Sequence, residues 1–130
     1  MAKRRTDPRP TDAELSILRI LWRRGPSTVR EVHRELSRER AIVYTTVLKL
    51  LQIMTDKGLV SREEVGRAHA YQAIQSEEQA QRRLVVDLLD RAFDGSAEQL
   101  VMRALTARKA SPEELAQIRR LLDELEGGKS

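Results

Sequence analysis

Tyr44, Thr45 and Thr46 open the stretch "VYTTVLKLLQIMTDKGLV" at residues 43–60, and Lys49 and Gln52 follow within it. A hydroxyl can bond a base edge or a phosphate, and a lysine can bond a guanine edge or a phosphate. On a helical wheel Thr45, Lys49 and Gln52 fall opposite Val47 and Met54, so donors share the outer side and aliphatic groups the inner one. Thr46 sits at the shoulder near the helix start, where recognition helices meet base edges. Further on, Arg62, Arg67 and His69 surround the turn "GRAH", within reach of a flanking backbone or minor groove. The chemistry these residues suit is recognition of a polyanion. A merely wet helix face would carry the same residue types, so the surrounding elements have to decide.

Bond-making chemistry has little to work with. His33 and His69 are the only histidines, and there is no cysteine. That excludes disulfides, thiolate zinc sites and cysteine nucleophiles. No histidine and carboxylate spacing converges on a metal, and no glycine-rich phosphate loop occurs. His33 lies on the edge of a helix, where packing or capping is the ordinary role. The sequence calls for no cofactor and no enzymatic activity.

The elements that must position the outer face read in order. Residues 1–10 are a basic tail with Pro8 and Pro10, expected to be poorly ordered. Thr11 with Glu14 fits a capping box, and Leu15, Leu18, Leu21 and Trp22 recur at helical spacing, which predicts helix 1 over residues 12–24. Gly25-Pro26 ends it. Thr28 and Glu31 make a second capping box for a helix over about residues 28–38, with Val29, Val32 and Leu36 on its stripe. Helix 3 covers roughly residues 43–57, with Val43, Val47, Leu50, Leu51 and Met54 facing inward. Gly58 suits the left-handed position that follows a helix end. "LVSREEV" at 59–65 reads as a strand, and "AYQAI" at 70–74 as its returning partner. Helices follow at about 77–93, 97–108 and 112–126, the last opened by Ser111-Pro112-Glu113-Glu114. The fold class is mainly α with a small β-hairpin: an N-terminal winged helix-turn-helix and a C-terminal helical dimerisation region. In residues, this is a tail at 1–10, a DNA-binding domain at 11–75, a dimerisation domain at 76–126 and a tail at 127–130.

Charge supports the division. Residues 1–75 hold fifteen Lys and Arg against nine Asp and Glu, a net of +6; residues 76–130 hold nine against eleven, a net of −2. The basic half suits a polyanion. Aromatic residues make up 3% of the chain, so the core must be aliphatic. "MAKRRTDPRP" lacks the apolar segment of a signal peptide, and no apolar run is long enough to span a bilayer, so the chain reads as cytoplasmic and uninserted. In the C-terminal half, Leu84, Leu88, Leu115, Ile118, Leu121, Leu122 and Leu125 exceed what one short helical hairpin can hide. They are the candidates for a two-fold interface.

"TDAELSILRILWRRGPSTVREVHREL", "YTTVLKLLQIMTDKGLVSREEVGRAHAY" and "LLDRAFDGSAEQLV" together resemble the penicillinase-repressor family (BlaI/MecI/CopY), from about Thr11 to Leu125. The resemblance implies a dimeric repressor whose winged helix binds a palindromic operator and whose C-terminal helices form the dimer. It carries the recognition positions onto Thr45, Thr46, Leu48, Lys49 and Ile53. Thr46 matches, and Lys49 keeps polar capacity. Leu48 and Ile53 depart, since relatives often carry arginine at the second and some at the first. An apolar side chain there can touch a thymine methyl but cannot bond phosphate. In the wing Arg67 matches, and His69 stands where an aromatic is common. The cysteine-rich metal motif of copper-sensing members is absent. Beta-lactam-responsive members are cut by a membrane-bound sensor protease, and the matching bond here is Arg103-Ala104 in "LVMRALTA". These residues differ from the asparagine-phenylalanine pair of the staphylococcal proteins. The alternative the fold leaves open is a winged-helix adaptor that binds protein rather than specific DNA.

Overall fold

The computed structural model describes residues 9–127. Most of the expected basic tail at 1–10, and all but Gly127 of the tail at 127–130, lie outside the described residues. The elements run α1 (Asp12–Arg24), β1 (Ser27–Thr28), α2 (Val29–Leu36), α3 (Tyr44–Asp56), β2 (Val60–Val65), β3 (Ala68–Ala73), α4 (Glu77–Ala92), α5 (Ala97–Ala107) and α6 (Pro112–Gly127).

Both predicted capping boxes form. The Thr11 hydroxyl accepts from the Glu14 N–H while the Glu14 carboxylate accepts from the Thr11 N–H, and Thr28 and Glu31 repeat the arrangement. These reciprocal bonds satisfy amides that a helix start leaves open. They fix where α1 and α2 begin, and therefore which faces meet. The first core is aliphatic: Ile17, Leu18, Ile20 and Leu21 from α1, Val29, Val32 and Leu36 from α2, and Val47, Leu51 and Met54 from α3. Val60 and Tyr71 close it from the hairpin. Trp22 Nε1 donates to the Gln75 carbonyl at 2.9 Å, tying the end of α1 to the chain just past β3.

The sheet order is β1-β3-β2, all antiparallel. Three details differ from expectation. The strand β1 was not foreseen; Ser27 pairs with Tyr71 and Thr28 with Ala70. The return strand starts at Ala68 rather than residue 70, because Val65 pairs directly with Ala68 across a two-residue turn. Gly66 opens that turn at φ +64 and Arg67 has negative φ, which is the type II′ requirement for glycine at the first central position. Val43, expected on the inner stripe of α3, is instead its N-cap and is 63% exposed. Gly58, as predicted, has positive φ (+79°) after α3.

A buried ion pair, also unforeseen, joins α1 to the end of α3. Lys57 Nζ lies 2.6 Å from Glu14 Oε1, with the two side chains only 5% and 3% exposed. The same ammonium donates to the Arg9 carbonyl at 2.9 Å.

Two compact units divide the chain, one ending at Leu84 and the other starting at Val85. The division falls inside α4, later than the turn at Ser76 where the sequence pattern placed it. Ala80 of α4 is buried and belongs to the first unit. In the second unit neither α5 nor α6 has a buried residue. Among the described residues no helix is long and apolar enough to cross a membrane, and no cluster of three or more His, Asp or Glu could hold a metal ion.

Candidate nucleic-acid interface

The core contacts of Val47, Leu51 and Met54 turn the opposite side of α3 outward, so that Tyr44, Thr45, Thr46, Lys49 and Gln52 are exposed. The start of α3 is held by His33, whose Nε2 lies 2.9 Å from the Ile42 carbonyl. The His33 ring also meets Tyr44 edge-on, with centroids 5.9 Å apart. His33 therefore positions the start of α3 through the α2–α3 turn, in keeping with the packing role expected for it. Unlike α1 and α2, α3 has no side-chain cap.

The exposed arc of α3 has two edges. On one, Thr45, Thr46, Lys49, Leu50 and Ile53 line a shallow concavity of about 280 Å³. On the other, Tyr44, Leu48 and Gln52 face the wing across a cleft of about 640 Å³, whose far side carries Arg62, Arg67 and His69. The sequence-predicted recognition residues are thus not one patch. Thr45, Thr46, Lys49 and Ile53 come together. Leu48 is separated from them, half-buried against the core on the wing-facing edge. Its apolar character has this second cause, since one flank of it is core.

Arg62 and Arg67 are exposed, and neither they nor Lys49 makes an ion pair or side-chain hydrogen bond among the described residues. His69 Nε2 lies 3.6 Å from Glu64 Oε2, its cross-strand partner. Sequence reasoning missed two residues of the cleft, Tyr44 and Arg30. The first was seen as a hydroxyl but not assigned. The second sits in the first turn of α2, and only the fold brings it beside the wing. Next to Arg30, Glu31 is lowered from its ordinary value chiefly by the Thr28 backbone N–H; burial opposes this, and Arg24 adds a smaller lowering.

In the second unit Leu88, Leu121, Leu122 and Leu125 are exposed, the last at 67%, while Leu84 of the first unit and Leu115 and Ile118 are half-buried. Val85, Val86, Val101 and Met102 add exposed apolar surface that the leucine pattern did not flag. Arg103 and Ala104 are both exposed, inside α5.

Comparison with known proteins places the chain in a family. The family model described as penicillinase repressor matches residues 10–124. A Mycobacterium tuberculosis protein named transcriptional regulator BlaI is 37% identical over 118 residues, covering 90% of this chain and 85% of its own. The penicillinase repressor of Bacillus licheniformis is 25% identical over 117 residues, covering 90% and 91%. Among solved structures, the transcriptional regulator Tm0710 of Thermotoga maritima superposes with a TM-score of 0.50 at 19% identity, covering 92% of this chain and 75% of that one, a likeness of fold. Along nearly its whole length, this chain belongs to the penicillinase repressor family of transcriptional regulators.

Proposed function

We propose that the chain represses transcription as a dimer bound to palindromic operator DNA, each subunit laying α3 in a major groove with its wing over the flanking backbone. The observation that carries this reading is the outward face of α3 with Thr45, Thr46 and Lys49, in the same unit as a wing whose Arg62 and Arg67 have no counter-ion among the described residues. A helix fits the major groove, and short donors at its start reach base edges. Half-sites then lie about one helical turn apart or slightly more. Selection of bound fragments from genomic DNA with the purified chain tests it. No salt-sensitive binding to any fragment would favour the protein-binding adaptor instead.

Two substitutions separate reading from holding. Lys49→Ala, losing a base contact, costs about 1–3 kcal/mol on the selected site and relaxes preference at one position. Equal loss on random DNA would make Lys49 a phosphate contact. Arg67→Ala, at the wing turn, weakens selected and random DNA alike and lowers the salt slope by about one unit. A changed base preference with an unchanged slope would contradict that role.

We further propose that the uncovered apolar faces of α4, α5 and α6 meet those of a second subunit, and that a membrane-bound sensor protease ends repression by cutting at Arg103-Ala104. The bond lies within a helix, so the protease needs α5 to open first.

A further inference from the structure

We infer that the cleft between α3 and the wing clamps one backbone phosphate of duplex DNA, with Arg30 of α2 as a third guanidinium beside Arg62 and Arg67. The inference rests on the reading of the chain as an operator-binding repressor and adds a division of labour within it.

The major groove is about as wide as a single helix with its side chains. An element standing beside that helix must therefore lie over the strand that bounds the groove. The wing stands beside α3, so the cleft between them straddles a sugar-phosphate backbone. Its inner surface includes Leu48 and Tyr71, half-buried and buried, which present apolar surface rather than a reader of base edges. Its cations come from two elements: Arg30 from the first turn of α2, and Arg62 and Arg67 from the hairpin.

The carboxylates of α2 are engaged elsewhere. Glu31 Oε1 accepts from the Thr28 N–H at 2.9 Å, and its Oε2 lies 3.5 Å from Arg24. Glu35 is shared by Arg24 and Arg38, each at 3.6 Å. Arg30 has no partner among the described residues. Guanidinium groups gathered around one concavity without an anion repel each other, and a phosphodiester that accepts several of their N–H bonds removes the repulsion. The β1–β3 pairing holds the two walls together, because Thr28, two residues before Arg30, is paired with Ala70, three residues after Arg67. The cleft thus sets the register on the backbone, and the edge with Thr45, Thr46, Lys49 and Ile53 is left to meet bases.

The test uses the full chain and a fragment it selects from genomic DNA, in which each phosphate in turn is replaced by a neutral methylphosphonate. One position per half-site should weaken wild-type binding by about ten-fold, the scale of a lost charge-assisted hydrogen bond. Arg30→Ala and Arg67→Ala should each reduce the sensitivity to replacement at that same position, with base preference and melting temperature unchanged. Arg30→Lys should restore part of it. Inorganic phosphate should displace the DNA no better than chloride at equal ionic strength. If Arg30→Ala changes no position, or changes a different one from Arg67→Ala, the shared clamp is wrong while the repressor reading stands. If phosphate displaces DNA more strongly than chloride and Arg30→Ala abolishes the difference, the cleft is a site for a free anion instead. If the chain selects no fragment, the repressor reading fails and the clamp with it.

Discussion

A chain ending at Ala104 should sediment as a monomer where the 130-residue chain should sediment as a dimer, and its operator affinity should fall by about 10²–10⁴-fold, the range that linkage of two binding modules provides. The truncation removes all of α6 and the end of α5 but none of the residues around α3 or the wing. Leu121, Leu122 and Leu125 are exposed on α6, and Leu88 and Met102 are exposed on α4 and α5. Burying an aliphatic side chain contributes roughly 1.5–3 kcal/mol, so several shared across a two-fold axis hold a dimer at low concentration. In the proposed complex one winged helix holds its half-site weakly, and the dimer makes the second contact intramolecular. Sedimentation with operator titration reads both parts. The full-length double variant Leu121→Glu/Leu125→Glu gives the same result without shortening the chain. A truncated protein that stays dimeric and binds as tightly as full length would rule out dimer loss as the switch.

Lys57→Met should destabilise the first unit by about 3–5 kcal/mol, the usual consequence of stranding one member of a buried pair. Glu14 would keep its bond from the Thr11 N–H but lose the cation 2.6 Å away, with almost no access to water. The change reads as a lower denaturation midpoint with the slope unchanged. Pairing it with Glu14→Gln should recover much of the loss, because a neutral amide still accepts from Thr11 and leaves no charge uncompensated. If Lys57→Met alone unfolds at the wild-type midpoint, the pair contributes no net stability.

The helices were legible because their signals are local. Thr11 with Glu14 and Thr28 with Glu31 mark starts within one turn, and each box forms as read. The inner stripe of α3 was legible for Val47, Leu51 and Met54. It failed at Val43, where the apolar period runs one residue past the helix start into a cap. The strand β1 was not legible, since two residues have no period and their partners lie far along the chain. The Glu14–Lys57 pair was hidden for the same reason: each residue alone looks like surface charge, and they are 43 positions apart. Of the proposed DNA-contact residues, Thr45, Thr46 and Lys49 on α3 and those at the hairpin turn could be named from spacing, while Leu48 and Ile53 came only from the family resemblance. Arg30 could not, because it reaches the cleft only through the pairing of β1 with β3.

That short pairing has a thermodynamic consequence for association. A two-stranded ribbon on its own is marginally stable in water, and a wing built that way would have to be ordered when DNA arrives. Here Ser27 and Thr28 turn its base into a three-stranded sheet, while Tyr71 anchors it in the core. The backbone entropy of the wing's base is therefore lost once, during folding. In the proposed complex, meeting DNA then restricts chiefly side chains such as Arg62 and Arg67, at about 0.5–1.5 kcal/mol each, and the wing engages the backbone without a separate ordering step.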